Sequence, residues 1–146
     1  MNMIGKVLDI NISKKKGIIK ESVEEGTFIE EFGIDGDAHA GKWHRQVSLL
    51  GIESFRKMEE LGIADLEHGD FAENITTEGI ILYELPVGTR LKIGETIQEV
   101  TQIGKKCHTG CAISKQVGKC IMPKEGIFTK VLKGGVVRPG DTIEVL

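Results

Sequence analysis

Nineteen glycines punctuate this 146-residue chain, and between them the apolar residues come in runs too short for long helices. Met3–Ser13, Val47–Leu50, Ile80–Leu85, Leu91–Ile93 and Thr96–Gln102 are such runs, rich in Val, Ile and Leu and bounded by turn residues. β-Branched residues between tight turns favour short strands joined by hairpins. Lys14–Gly17, Glu24–Gly26, Val87–Thr89, Gly94–Glu95 and the Pro139–Asp141 stretch read as turns, with a final strand inside Val136–Leu146. Pro86 ends the Ile80–Leu85 run, expected as a strand. Gly126–Lys133 is too short for periodicity to separate helix from strand. The expected fold class is mainly β.

One stretch breaks the pattern. Ile52, Phe55, Met58 and Leu61 recur at three-residue steps before Gly62, which predicts a short amphipathic helix with an apolar core face and a glycine stop. A chain of this length is expected to be one domain, burying roughly two-thirds of its unfolded surface. The formal charge of −3 argues against general nucleic-acid binding, which needs neutralised phosphates. No apolar run matches a signal segment or membrane span. A cytoplasmic protein is expected, and with an odd count of three cysteines, free thiols rather than a disulfide frame.

Three polar stretches interrupt the apolar ones. In Ile34–Leu50, Asp35, Asp37, His39, His44 and Arg45 sit among glycines directly before a strand-like run, where loops place functional groups on a scaffold. His39 and His44 are poorly spaced for a shared metal. Arg45 suits a phosphate or carboxylate, and an ion pair with a nearby aspartate is the equal alternative. The Lys14–Lys16 run reads as a solvated turn more readily than as an anion site. In His68–Gly79, Glu73 and Asn74 either orient a ligand or satisfy their own loop's backbone.

The third stretch, Val100–Pro123, carries all the cysteines. Lys105 and Lys106 precede Cys107 and His108 follows it, so nearby cationic groups favour the thiolate. A thiolate attacks, binds a soft metal or carries an extra sulfur; the alternative is a small apolar core residue, the better reading for Cys120. The Cys107–Cys111 spacing is a poor zinc knuckle, and no triad order supports a Cys–His nucleophile. The residues alone give an activated thiolate in a β-rich pocket.

GDAHAGKWHRQVSLL at Gly36–Leu50, GDFAENITTEGI at Gly69–Ile80, ELPVGTRLKIG at Glu84–Gly94, VTQIGKKC at Val100–Cys107 and the closing RPGDTIEVL resemble, as an ordered set, the molybdenum cofactor sulfurase C-terminal (MOSC) domain. The resemblance covers roughly Gly33 to Leu146 and is to the small, stand-alone form. It implies a MOSC-like β-barrel with a few short helices over residues 1–146, and a pocket that binds the molybdenum cofactor (Mo-molybdopterin) or handles sulfur destined for it. The family's cysteine falls on Cys107, as molybdenum ligand or persulfide carrier, with Cys111 as the second candidate.

The cofactor's phosphate calls for local cations: Lys42, Arg45, Lys105 and Lys106, with His39, Glu73, Asn74 and His108 as the remaining contacts. The resemblance implies a partner among cofactor biosynthesis proteins or a sulfur donor, no pyridoxal phosphate, and a cofactor that need not survive purification. Two other readings are a stand-alone molybdoenzyme reducing N-hydroxylated compounds and a non-catalytic partner-binding module. Oligomeric state is left open.

Overall fold

The structure, a computed structural model, describes residues 4–15, 18–60, 62, 66–104 and 125–146. Its strands are β1 (Ile4–Ile12), β2 (Glu21–Val23), β3 (Gly26–Ile29), β4 (Gly33–Ile34), β5 (Val47–Gly51), β6 (Ile75–Glu78), β7 (Arg90–Ile93), β8 (Thr96–Ile103), β9 (Ile127–Lys133), β10 (Gly135–Val137) and β11 (Thr142–Val145); helix α1 spans Ile52–Glu60.

Seven strands close into a barrel in the order β1, β11, β7, β8, β9, β5, β6 and back to β1. Closure is possible because β1 is long enough to pair along both edges: Ile4–Lys6 with β11, and Lys6–Ile10 with β6. The β1–β6 register slips between Val7 and Asp9, a bulge of the kind that bends a strand around a barrel. Beyond the closing pair, Ile10–Ile12 carry β2, while β10, β3 and β4 form a second, three-stranded sheet.

Neighbours in the barrel run antiparallel except β5 and β6, where Leu49 lies opposite Ile75 in parallel. Parallel neighbours need a crossover, and α1 lies within it. This explains why β5 is buried along its whole length. Val47 and Leu49 join Val7, Ile10, Leu91, Val100 and Ile127 in the barrel core. Leu50 packs on the other side with Phe55 and Met58 of α1, Phe71 and Phe128. Full burial of side chains this size contributes about 1.5–3 kcal/mol each. Gly62, at φ 94°, follows the helix, its amide donating to the Glu59 carbonyl at 2.9 Å.

Ile80–Leu85 corrects the expectation of a strand. Gly79 turns at φ 85° after β6, and Leu82–Glu84 form a 3₁₀ turn closed by the Leu85 amide on the Leu82 carbonyl at 3.0 Å. Ile80, Leu82 and Leu85 are buried while Ile81 is exposed. A tight turn achieves that burial without a ladder, and Pro86 prevents its extension. Gly126–Lys133, open between helix and strand, contains strand β9 because Ile127, Thr129 and Val131 alternate inward between two neighbours. Among the described residues no helix is long and apolar enough to cross a membrane.

Candidate functional site

The loop from β4 to β5 is organised around a lysine that nothing in the sequence singles out. Lys20 is sealed from solvent, and its Nζ lies 2.6 Å from Asp37 Oδ1, 3.1 Å from Ser13 Oγ and 3.0 Å from His39 Nδ1. A buried ammonium is tolerated only when paired and hydrogen-bonded, and here it is both. Asp37 is used from several sides: Oδ1 also accepts from the Ser13 amide at 3.1 Å, and Oδ2 from the His39 amide at 3.1 Å. Ser13, at the end of β1, further accepts from the Ala38 amide through its carbonyl at 2.8 Å.

From His39 the contacts run on toward β8 and β9. Trp43 Nε1 donates to the His39 carbonyl at 2.7 Å. The guanidinium carbon of Arg45 sits 4.6 Å from the Trp43 ring centre and 5.6 Å from that of Phe128, a cation held between two aromatic faces. Arg45 Nε is buried with no hydrogen-bond partner among the described residues. Asp37, one of the acids that competed for Arg45 as an ion-pair partner, is paired with Lys20 instead. Lys42 is exposed beside them and, with Trp43, His44, Gln46, Glu31 and Lys130, lines a shallow groove of about 370 Å³.

His44 closes the path. Its Nε2 lies 2.8 Å from Gln102 Oε1, its carbonyl accepts from the Thr101 hydroxyl, and Gln102 Nε2 donates to the Gly104 carbonyl at 2.8 Å. Gly104 in turn donates to the Gly126 carbonyl at 2.7 Å. The described ends of the chain on either side of 105–124 therefore meet next to the loop that carries Arg45. Glu125 is held there by Ser54 at 2.6 Å and Lys57 at 2.8 Å, both on α1. Glu125, ahead of Tyr83, raises the Lys57 pKa by hydrogen bonding to the ammonium.

Glu73 and Asn74 lie deeper. Asn74 Oδ1 accepts from the Ser48 amide at 3.0 Å and hydroxyl at 3.1 Å, and Nδ2 donates to the Asn11 carbonyl at 3.0 Å. It ties β5 to β1 just where β6 begins. Glu73 accepts from the Gly69 amide at 2.9 Å, the Phe71 amide at 3.2 Å and the Thr76 hydroxyl at 2.6 Å. Burial pushes its carboxyl up to about 7, against the pull of those hydrogen bonds. Glu73 thus holds its own loop's backbone, the second of the two roles open to it from sequence, while Asn74 bonds backbone groups of Ser48 and Asn11 outside the loop. The loop touches the first cluster through the Lys20 amide, which donates to the Gly69 carbonyl at 3.0 Å.

The structure thus brings His39, Lys42 and Arg45 onto one loop, with Glu73 and Asn74 packed beneath its neighbour. Lys105, Lys106, Cys107, His108, Cys111 and Cys120 lie outside the described residues. Among the described residues, no group of three or more His, Cys, Asp or Glu side chains is placed to hold a metal ion. Sequence reasoning passed over Lys20, Trp43 and Gln102. Lys20 resembles the exposed lysines just before it, and only the fold, by bringing Asp37 to it, sets it apart.

Comparison with known proteins agrees with this architecture. A family model of the MOSC domain matches residues 36–144. The uncharacterized protein YflK of Bacillus subtilis is 24% identical over 98% of this chain and 70% of its own length. Among solved structures, the YuaD protein from Bacillus subtilis superposes with a TM-score of 0.83 at 20% identity, covering 99% of this chain and 97% of its own. YiiM from Geobacillus stearothermophilus gives 0.76 at 22% identity, covering 97% of this chain and 75% of its own. At these identities the solved structures establish the shared fold.

Proposed function

We propose that this chain, which belongs to the MOSC domain family, binds the molybdenum cofactor or carries sulfur destined for it, with the Cys107 thiolate as the metal-ligating or sulfur-bearing group. The observation that supports this reading is the contact of His44, next to Arg45 in sequence, with Gln102, which in turn donates to the Gly104 carbonyl, three positions ahead of Cys107. It supports a reading in which Arg45 would bind an oxyanion near Gly104, the last described residue before the cysteine segment.

The residues present fit such a cofactor. Arg45 keeps a buried Nε–H without a protein acceptor among the described residues, and its guanidinium is fixed by Trp43 and Phe128. That suits the cofactor's phosphate, whose charge Lys42, Lys105 and Lys106 would share. A thiolate is a soft ligand and so a chemically apt partner for the metal. When bound, the group supplies a redox-active centre with exchangeable terminal ligands. The chain's own part is to hold the anionic end at Arg45, to present His39 and His108 as polar contacts, and to keep Cys107 ionised through Lys105, Lys106 and His108. Glu73 and Asn74 would hold the 68–79 stretch against β1 and β5.

As a carrier, the Cys107 thiolate would take the outer sulfur of a donor persulfide. A new S–S bond forms as the donor's breaks, and the donor leaves as a thiolate, with no net change in oxidation level. The partner is then a persulfide donor or a cofactor biosynthesis protein, and Cys111 is the second candidate thiol.

Native mass spectrometry of the full chain, produced in cells that make the cofactor, tests this. The expected spectrum shows bound cofactor or one added sulfur atom, lost in Cys107→Ala. Full loading of Cys107→Ala would overturn the assignment to that residue, and Cys111→Ala would then be examined in the same way. Turnover of an N-hydroxylated substrate with an electron donor would make the protein an enzyme rather than a carrier.

A further inference from the structure

We propose that Gln46 is a ligand-binding residue, its side-chain NH₂ turned into the groove beside Arg45 to donate to an oxyanion, a phosphate or carboxylate group, of the bound ligand. The argument starts where β5 ends. Val47, the first residue of β5, lies opposite Thr129, but β9 runs on to Lys133. Two residues past Thr129, the backbone of Val131 is met by the loop instead of by a strand. Its carbonyl accepts from the Glu31 amide at 2.8 Å, and its amide donates to Gln46 Oε1 at 2.9 Å. A buried backbone N–H demands such an acceptor. The Gln46 side chain thus adds one rung to a ladder that β5 has already left.

That bond fixes which way the amide faces. Only the oxygen of a glutamine side chain accepts, so with Oε1 held at the Val131 amide the NH₂ points away from β9 with two N–H donors. Among the described residues it meets no acceptor, although Gln46 is only 1% exposed. The sealed polar atoms without a partner there are Arg45 Nε, Glu53 Oε1 and Thr77 Oγ1. Gln46 Nε2 is not one of them, so it reaches solvent, and the surface that Gln46 lines is the groove of about 370 Å³. The charges around that groove favour an anion: among its described lining residues Lys42 and Lys130 outnumber the one acid, Glu31. Lys130 Nζ keeps only a 3.7 Å surface contact with Glu99 Oε2, which a ligand can displace at little cost. A donor whose own oxygen is locked is ordered before the ligand arrives. That the oxyanion belongs to the molybdenum cofactor rests on the proposed function, whereas the direction of the NH₂ does not.

The test is a titration of the ¹⁵N-labelled full chain with inorganic phosphate at mildly alkaline pH, following the Gln46 side-chain NH₂ signals and the Val131 amide. The variant is Gln46→Glu, which keeps an oxygen for the Val131 amide and replaces the NH₂ by a second carboxylate oxygen. In the wild type the NH₂ pair should shift saturably with phosphate. In Gln46→Glu the Val131 amide should stay hydrogen-bonded while phosphate affinity falls roughly tenfold or more, the loss of a hydrogen bond to a charged group. An NH₂ pair that phosphate leaves unmoved, or wild-type affinity in Gln46→Glu, overturns the proposal. Should Gln46→Glu fail to fold, the wild-type titration alone decides. A shifted NH₂ pair in a protein that never loads cofactor supports the role of Gln46 while removing the cofactor reading; an unmoved pair in a protein that does load does the reverse.

Discussion

Lys20 Nζ and Asp37 Oδ1 lie 2.6 Å apart, and neither side chain has exposed surface. The pair joins the chain after β1 to the loop before β5, two regions the sequence keeps 17 positions apart. Removing one member of a buried pair leaves the other charged and without compensation, at a cost of about 3–5 kcal/mol. Asp37→Ala and Lys20→Met are each expected to destabilise by that order in urea unfolding. The double variant should fall well short of their sum, with a coupling of about 1 kcal/mol or more. Additive losses would show that the pair does not act as a unit.

Glu73 gives the protein a pH signature. Its carboxyl is raised from the ordinary 4.5 to about 7 in the fold by burial. Below the unfolded value both states are protonated and the contribution to stability is fully present. As pH rises from about 4.5 through 7, the unfolded chain ionises first and stability falls, by on the order of 3 kcal/mol for a shift of this size. Above that window both states are ionised and the loss is complete. Glu73→Gln should remove this part of the slope in unfolding free energy between pH 4.5 and 7. Identical slopes would place the titration elsewhere.

Gly69 is required by its surroundings and by its backbone. At φ 92°, a side chain there is strained, and a Cβ would drive into the Lys20 carbonyl. Its amide also donates to Glu73 and its carbonyl accepts from the Lys20 amide. Gly69→Ala is expected to cost about 1–3 kcal/mol from backbone strain alone, and more once the contact is included. A thermal midpoint equal to the wild type would contradict this.

Arg45 separates geometry from charge. Arg45→Lys keeps the cation but loses the planar group between Trp43 and Phe128, whose centres lie 4.6 and 5.6 Å away. Hydrogen bonds to charged groups are worth about 1.5–3 kcal/mol, so, on the proposed function, cofactor affinity should fall roughly tenfold or more in Arg45→Lys, with urea stability altered far less. Retention of full affinity would mean that a point charge is all the site requires.

Much of the fold was legible because it follows from local rules. Glycine-bounded runs of β-formers became β1, β5, β7, β8 and β11, and the three-residue step from Ile52 to Met58 became α1. Ile80–Leu85 misled because a short apolar run looks alike whether it pairs in a ladder or folds over a core in a tight turn. The candidate loops were legible as polar stretches. Loop chemistry marked His39, Lys42 and Arg45, but Glu73 and Asn74 carry the same polar signature while serving the backbone.

By itself the sequence determined the β class, the amphipathic helix and the family, since each depends on residue type, short-range spacing and the order of motifs. Only the tertiary structure decided that β1 closes a barrel with β11, that Lys20 rather than Arg45 takes Asp37, and that His44 reaches Gln102. Those are pairings across long stretches of chain, fixed by packing and by the cost of leaving a buried charge alone. No local pattern encodes which partner arrives.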